Sequence, residues 1–211
     1  MRTDDMINLL VQDLTNQPKG VGQLLLRWWP AAAAIAGAGF LAIAGVRPDL
    51  FAAGLAPTLS KLTLGALIAL TAIFGAVRLS RPEAQVAAAS RGLVAVAVFI
   101  GFLVATDLLN HGLDGWRGRL FGKGALPCLT LVPTVAAAPL IASIMALRRG
   151  ATTLPLATGA LAGVASAGLA ILGYGLFCNE DSPLFIATWY SLAAVIAGAA
   201  GAALGRATLR W

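Results

Sequence analysis

Six runs of nearly unbroken apolar residues divide this chain, and short polar intervals separate them. The runs cover residues 28–46, 59–79, 92–109, 125–147, 156–177 and 184–204. Each is close to the ~20 residues that a helix needs to cross hydrocarbon. The pattern predicts an all-α, polytopic membrane protein with six transmembrane helices. Arg27, Trp28 and Trp29 open the first run, where aromatic rings favour headgroup depth. Arg47, Pro48 and Asp49 close it, and Lys61 stands near the start of the second. Pro127, Pro133 and Pro139 predict kinks or an irregular start in the fourth.

The leader before the first run has a different pattern. Thr3, Asp4 and Asp5 suit a helix start, where acids meet the positive end of the helix dipole. Met6, Leu9, Leu10 and Leu14 then recur at helical spacing, with Asp5, Asn8, Gln12 and Asp13 mostly off that stripe. Pro18 and Gly20 break the segment from the first run. Such a helix either lies on the bilayer surface or docks a soluble partner. Its acids and near lack of Lys or Arg favour docking, because surface-lying helices are usually basic on the polar face. The first apolar run of spanning length comes too late for a cleaved signal peptide. The expected organisation is an N-terminal amphipathic segment at 1–27, a six-helix membrane domain at 28–205 and a short tail at 206–211.

Composition agrees with this division. Hydrophobic residues make up 59% and charged residues 11%, against about 25% charged in soluble domains. Mean hydropathy is +0.84. No single soluble core hides that much apolar surface. The net charge of +6 does not indicate direct nucleic-acid binding, because no basic patch is interleaved with aromatics. Membrane lipids and cytoplasmic loops account for it more simply. With both termini on one side, that side holds Arg2, Lys19, Arg27, Arg78, Arg81, Arg91, Arg148, Arg149, Arg206 and Arg210. The other side holds Arg47, Lys61, Arg117, Arg119 and Lys123. Ten against five places both termini in the cytoplasm.

That topology puts the two cysteines at one membrane face. Cys128 opens the fourth span and Cys178 follows the fifth, inside the polar stretch CNEDSPLFIATWY. Three readings stand side by side: two small buried hydrophobes, a structural disulfide, or a reactive or metal-sensing pair. Arg117, Arg119 and Lys123 precede Cys128, and a cationic loop favours the thiolate, the form that attacks electrophiles and binds metals. His111, Glu180 and Asp181 are possible auxiliary ligands, although the spacing matches no standard zinc pattern. No resident cofactor is expected, only transient metal binding at Cys128 and Cys178. The acids at 180 and 181 otherwise read as solvated turn residues, and Trp189 and Tyr190 as packing or interface anchors.

Enzymatic chemistry has little support. No Ser-His-Asp set is possible beyond the lone His111, and no glycine loop is shaped to cradle phosphate. Asp107 is the only acid within an apolar run, whereas ion-coupled transporters usually carry several intramembrane charges. A small multi-pass permease or a membrane-assembly subunit remains the alternative.

The order of motifs is specific. MRTDDMINLL opens the chain, CLTLVPTVAAAPLIASIMALRRGA lies past its middle, and GALAGVASAGLAILGYGLFCNEDSPLFIATWY and GRATLRW follow. This resembles the NrsF family of bacterial six-span anti-sigma factors over nearly the whole chain. The resemblance implies an inner-membrane protein that holds an extracytoplasmic-function sigma factor until an envelope signal arrives. The family's two outer cysteines would correspond to Cys128 and Cys178, and its N-terminal Thr-Asp-Asp segment to Thr3, Asp4 and Asp5. The sigma-binding surface is then expected on Met6, Leu9, Leu10 and Leu14. Arg81, Arg91, Arg148 and Arg149 are candidate electrostatic partners.

Overall fold

The computed structural model describes residues 20–48, 55–81 and 87–209. Among them there is helix and turn and no strand. The helices are α1 Val21–Ala44, α2 Leu55–Leu79, α3 Ala87–His111, the short α4 Trp116–Phe121, α5 Ala125–Leu147, α6 Pro155–Tyr174 and α7 Pro183–Thr208. Six units are long and apolar enough to cross a membrane, with α4 continuing into α5. The expected sigma-binding residues Thr3, Asp4, Asp5, Met6, Leu9, Leu10 and Leu14 lie outside the described residues.

The apolar runs locate the spans well, but their ends shift for physical reasons. α1 begins at Val21, directly after Gly20, so Trp28 and Trp29 sit two turns inside it. The two rings have different surroundings. Trp28 is exposed, with the Arg27 guanidinium 5.4 Å from its ring centroid. Trp29 is buried and its indole N–H donates to Ser166 Oγ at 3.4 Å. The prolines of the fourth span leave α5 as one helix from Ala125 to Leu147. Pro127 falls in its first turn, where a backbone N–H has no intrahelical partner to lose.

α6 is the centre of the bundle. It packs most extensively against α7 and α2, and also against α5 and α1. Its sequence PLATGALAGVASAGLAILGY explains why. Lipid tails are as apolar as leucine, so helices in a bilayer associate through close van der Waals packing, which small residues allow. Gly159 and Gly163 of α6 lie against Gly201, Gly205 and Ala197 of α7. A Cβ on Gly163 would collide with the Ala197 carbonyl, and one on Gly201 with the Gly159 carbonyl. The two Gly-x-x-x-Gly stretches thus meet backbone to backbone. Gly168 approaches the α2 backbone at Ala69 in the same way.

The outward faces carry Ile35, Ile43, Val98, Leu109, Leu126 and Ile141, all exposed. An apolar outer surface is what hydrocarbon contact requires, since water is absent there. Hydroxyls within the helices return to their own backbone: Thr71 Oγ1 donates to the Leu67 carbonyl at 2.6 Å and Ser166 Oγ to the Ala162 carbonyl at 2.8 Å. That leaves few polar groups facing lipid.

Candidate functional site

The helices alternate in direction, so the segments 45–48, 111–124 and 175–182 gather at one end of the bundle. α6 unwinds there gradually. The amides of Gly175, Leu176, Phe177 and Cys178 still bond back to Ile171, Gly173 and Tyr174 carbonyls. Ser182 then precedes Pro183, whose fixed φ and missing N–H suit the first position of α7. Between the two helices the chain presents Cys178, Asn179, Glu180 and Asp181.

Cys128 and Cys178 are brought into one cluster at this end. Both are free thiols and both are buried, with 0% and 3% exposure. Their burial fits the reading of two small buried hydrophobes, although Cys178 itself lies in the polar loop. Leu64, Ile68, Phe185, Ile186 and Ala187 share their cluster. Tyr174 and Tyr190 complete it, with ring centroids 5.9 Å apart. Tyr190 packs into this cluster and is fully buried. Trp189 ties α7 to the α4 region by donating its indole N–H to the Leu120 carbonyl at 2.6 Å.

The acids next to Cys178 are not solvated turn residues. Asp181 receives Arg47 through both guanidinium nitrogens, at 2.7 and 2.9 Å, and Lys61 Nζ at 2.7 Å. Lys61 Nζ also donates to the Cys178 carbonyl at 2.7 Å, and Arg47 Nη1 to the same oxygen at 3.4 Å. The Lys61 side chain is 0% and that of Arg47 2% exposed. These cations read in the sequence as outer-loop charges, but they form a buried clamp on the Cys178 loop. Burial by itself would raise the Asp181 carboxyl; hydrogen bonds from Arg47 and Lys61, and their charges, outweigh it and hold it below the ordinary carboxylate range.

Glu180 is held separately. Its Oε1 accepts the Lys123 backbone N–H at 2.6 Å. Gly122 makes this possible: its φ of +47° favours glycine, and a Cβ there would run into the Glu180 carboxylate. Asp107, fully buried, accepts Arg119 Nε at 2.9 Å and Ser182 Oγ at 3.3 Å. Arg119 Nη2 also caps the Gly112 carbonyl at 2.8 Å. Arg119 is thus engaged with Asp107, and the cations bonded to the Cys178 segment are Lys61 and Arg47. His111 is exposed at the rim, its Nδ1 4.0 Å from Asp107 Oδ1. The three possible auxiliary ligands, His111, Glu180 and Asp181, therefore engage other partners. Among the described residues, no group of three or more His, Cys, Asp or Glu is arranged to hold a metal ion.

The opposite end is chemically different. Arg27, Arg78, Arg81, Arg91, Arg148, Arg149 and Arg206 are all exposed there, and no acid stands among the described residues. Helix ends are cross-linked through backbone, the Ala151 N–H donating to the Ser80 carbonyl at 3.1 Å. Leu209 is buried and joins the second core cluster with Leu25, Trp29 and Leu147.

Comparison with known proteins matches this arrangement to a family. Residues 10–211 match NrsF, "Negative regulator of sigma F". The chain is 33% identical over 230 residues to the Anti-sigma-F factor NrsF of Caulobacter vibrioides (strain NA1000 / CB15N), covering all of both chains. It is 29% identical over 219 residues to the Probable anti-sigma-F factor NrsF of Azospira oryzae (strain ATCC BAA-33 / DSM 13638 / PS), again over the whole of both. No solved structure matches significantly. The family match over residues 10–211 and the full-length identity of 33% place this chain in the NrsF family of negative regulators of sigma F.

Proposed function

We propose that this chain is an anti-sigma factor of a bacterial inner membrane, with both termini in the cytoplasm. It holds an extracytoplasmic-function sigma factor and releases it when a metal or oxidant in the periplasm acts on Cys128 and Cys178. The observation that carries the reading is the full-length relation to two anti-sigma-F factors. The charge distribution supports the orientation. Two of the five cations on the cysteine side, Arg47 and Lys61, are buried against Asp181, and Arg119 is spent on Asp107. The arginines at the other end are exposed, so the contrast in free positive charge exceeds the sequence count.

The clamp offers a route between the two ends. Cys178 sits in a segment tied by Lys61 to α2 and by Arg47 to the end of α1. Both helices run to the arginine-rich end. A change in the thiol cluster that strains the Cys178 segment therefore pulls on two spans at once. A hundredfold fall in sigma affinity needs a differential free energy of about 3 kcal/mol. That is within reach of rearranging one buried ion pair.

Two experiments test the reading. Deleting residues 1–16 is expected to free sigma while the protein remains in the membrane, measured by co-purification and a sigma-dependent reporter. Full retention of sigma by the inserted, truncated protein would show that the N-terminal helix is not the docking element. Cys128→Ser and Cys178→Ser are expected to keep sigma bound and abolish induction by thiophilic metals and oxidants. Unchanged induction by every such agent would remove the cysteines from sensing.

A further inference from the structure

We propose that the groove between α1 and α5 at the arginine-rich end binds an anionic glycerophospholipid, with one acyl chain lying in the groove and the phosphate held by Arg149 and Arg27. The proposal needs the chain to sit in a bilayer, and it stands apart from the sigma and cysteine readings. α1 packs against α5. Small side chains at Ala32, Ala142 and Ala146 leave a trough between them, and the exposed side chains of Trp28, Ile35 and Met145 line it. Its volume is about 390 Å³, within the range of small-ligand pockets.

Depth and charge select the occupant. Ile35 lies fourteen residues into α1 from Val21, roughly 21 Å along the axis at about 1.5 Å per residue. In a membrane span, that puts the inner end of the groove within hydrocarbon. The polar backbone of a soluble partner cannot follow it there, whereas an acyl chain can. The outer end is cationic and aromatic. Arg149 lines it, just past the last residue of α5. Trp28 lines it as well and carries the Arg27 guanidinium 5.4 Å from its ring centroid. Both arginines are exposed, and no acid stands at this end among the described residues. A guanidinium presents paired N–H donors that match phosphate oxygens, and a tryptophan ring favours headgroup depth. An apolar trough with such a mouth is complementary to one anionic lipid, and basic pockets between spans recur as headgroup sites. The inference gives Arg149, a candidate sigma contact in the sequence, to lipid instead.

The test is native mass spectrometry of the full-length protein in detergent, titrated with phosphatidylglycerol or phosphatidylcholine. One phosphatidylglycerol should stay bound under conditions that leave phosphatidylcholine unbound. Arg27→Gln combined with Arg149→Gln is expected to weaken that binding about tenfold. Arg78→Gln combined with Arg91→Gln removes the same charge from the same end, away from the groove, and should leave binding unchanged. Ala31→Phe, at an exposed position lining the groove, should displace the acyl chain and weaken binding while both arginines remain. The thermal midpoint of each variant without added lipid should match that of the parent. If Ala31→Phe does not fold, the two arginine pairs decide the matter. Equal retention of the two lipids overturns the proposal. So does an equal loss in the two arginine pairs, which would mark a general attraction of positive charge for anionic lipid. Binding of phosphatidylglycerol only after removal of residues 1–16 would give the groove to the leader and overturn it as well.

Discussion

Replacing Asp181 by alanine is expected to destabilise the protein by about 3 kcal/mol, because it takes a shared carboxylate away from two buried cations. Lys61 and Arg47 are almost wholly buried, and Asp181 is the carboxylate they share. Removing one partner of a buried pair typically costs about 3–5 kcal/mol; the 28% exposure of the Asp181 side chain puts this case toward the lower end. The measurement is the thermal midpoint in detergent or nanodiscs, with sigma retention read in parallel. Glu180→Ala is the comparison, since Glu180 accepts one backbone N–H and should cost about 1 kcal/mol. An Asp181→Ala midpoint no lower than that of Glu180→Ala would show that the clamp does not hold the fold. The triple replacement Arg47→Leu, Lys61→Met, Asp181→Leu should recover much of the loss, because it removes the buried charges too.

The same carboxylate sets a pH dependence. Its folded-state value lies below the ordinary one. Its contribution is therefore complete above the unfolded value of about 3.9, and is lost as pH falls through the lowered folded value. Stability from the clamp should be flat from neutral pH down to about 4 and fall only in stronger acid.

Gly163→Leu is expected to abolish accumulation of folded protein, by forcing α6 and α7 apart. The obstacle is backbone: the added atoms meet the Ala197 carbonyl, which has no rotamer to change. Even Gly163→Ala should cost about 1–3 kcal/mol, the usual cost of overpacking a close contact. Gly101→Ala on α3 is the control. Nothing lies within 4 Å of a Cβ at Gly101, so its effect should stay within about 0.5 kcal/mol. Near-equal midpoints for Gly163→Ala and Gly101→Ala would mean that the α6–α7 seam is looser than its geometry implies.

The spans were legible because lipid imposes length and hydropathy on every crossing segment. The shared location of Cys128 and Cys178 followed from the same count of crossings. Their burial did not follow. Glu180 and Asp181 beside Cys178 suggested solvent, whereas Asp181 is held by side chains 120 and 134 residues away in sequence. The missed signal was Lys61, which stands just inside an apolar run. A charge there requires a partner, and the acids of the Cys178 stretch were the available ones. Asp107 carried the same signal and found Arg119. The close seam between α6 and α7 was present in the spacing of Gly159 with Gly163 and Gly201 with Gly205, but glycine content alone named no pair.

The long reach of the clamp has a consequence for biosynthesis. α2 leaves the ribosome with Lys61 well before Asp181 exists, because 120 residues separate them. At synthesis rates of about 5–20 residues per second the delay is roughly 6 to 24 s. During that interval the lysine at the head of α2 has no carboxylate from the final loop. Its flexible stem lets the ammonium reach toward water until that loop arrives. The loop between α6 and α7 therefore supplies the carboxylate that holds Lys61 in the finished bundle. A chain cut short before residue 181 is expected to leave Lys61 without that carboxylate and its earlier helices as an unfinished assembly.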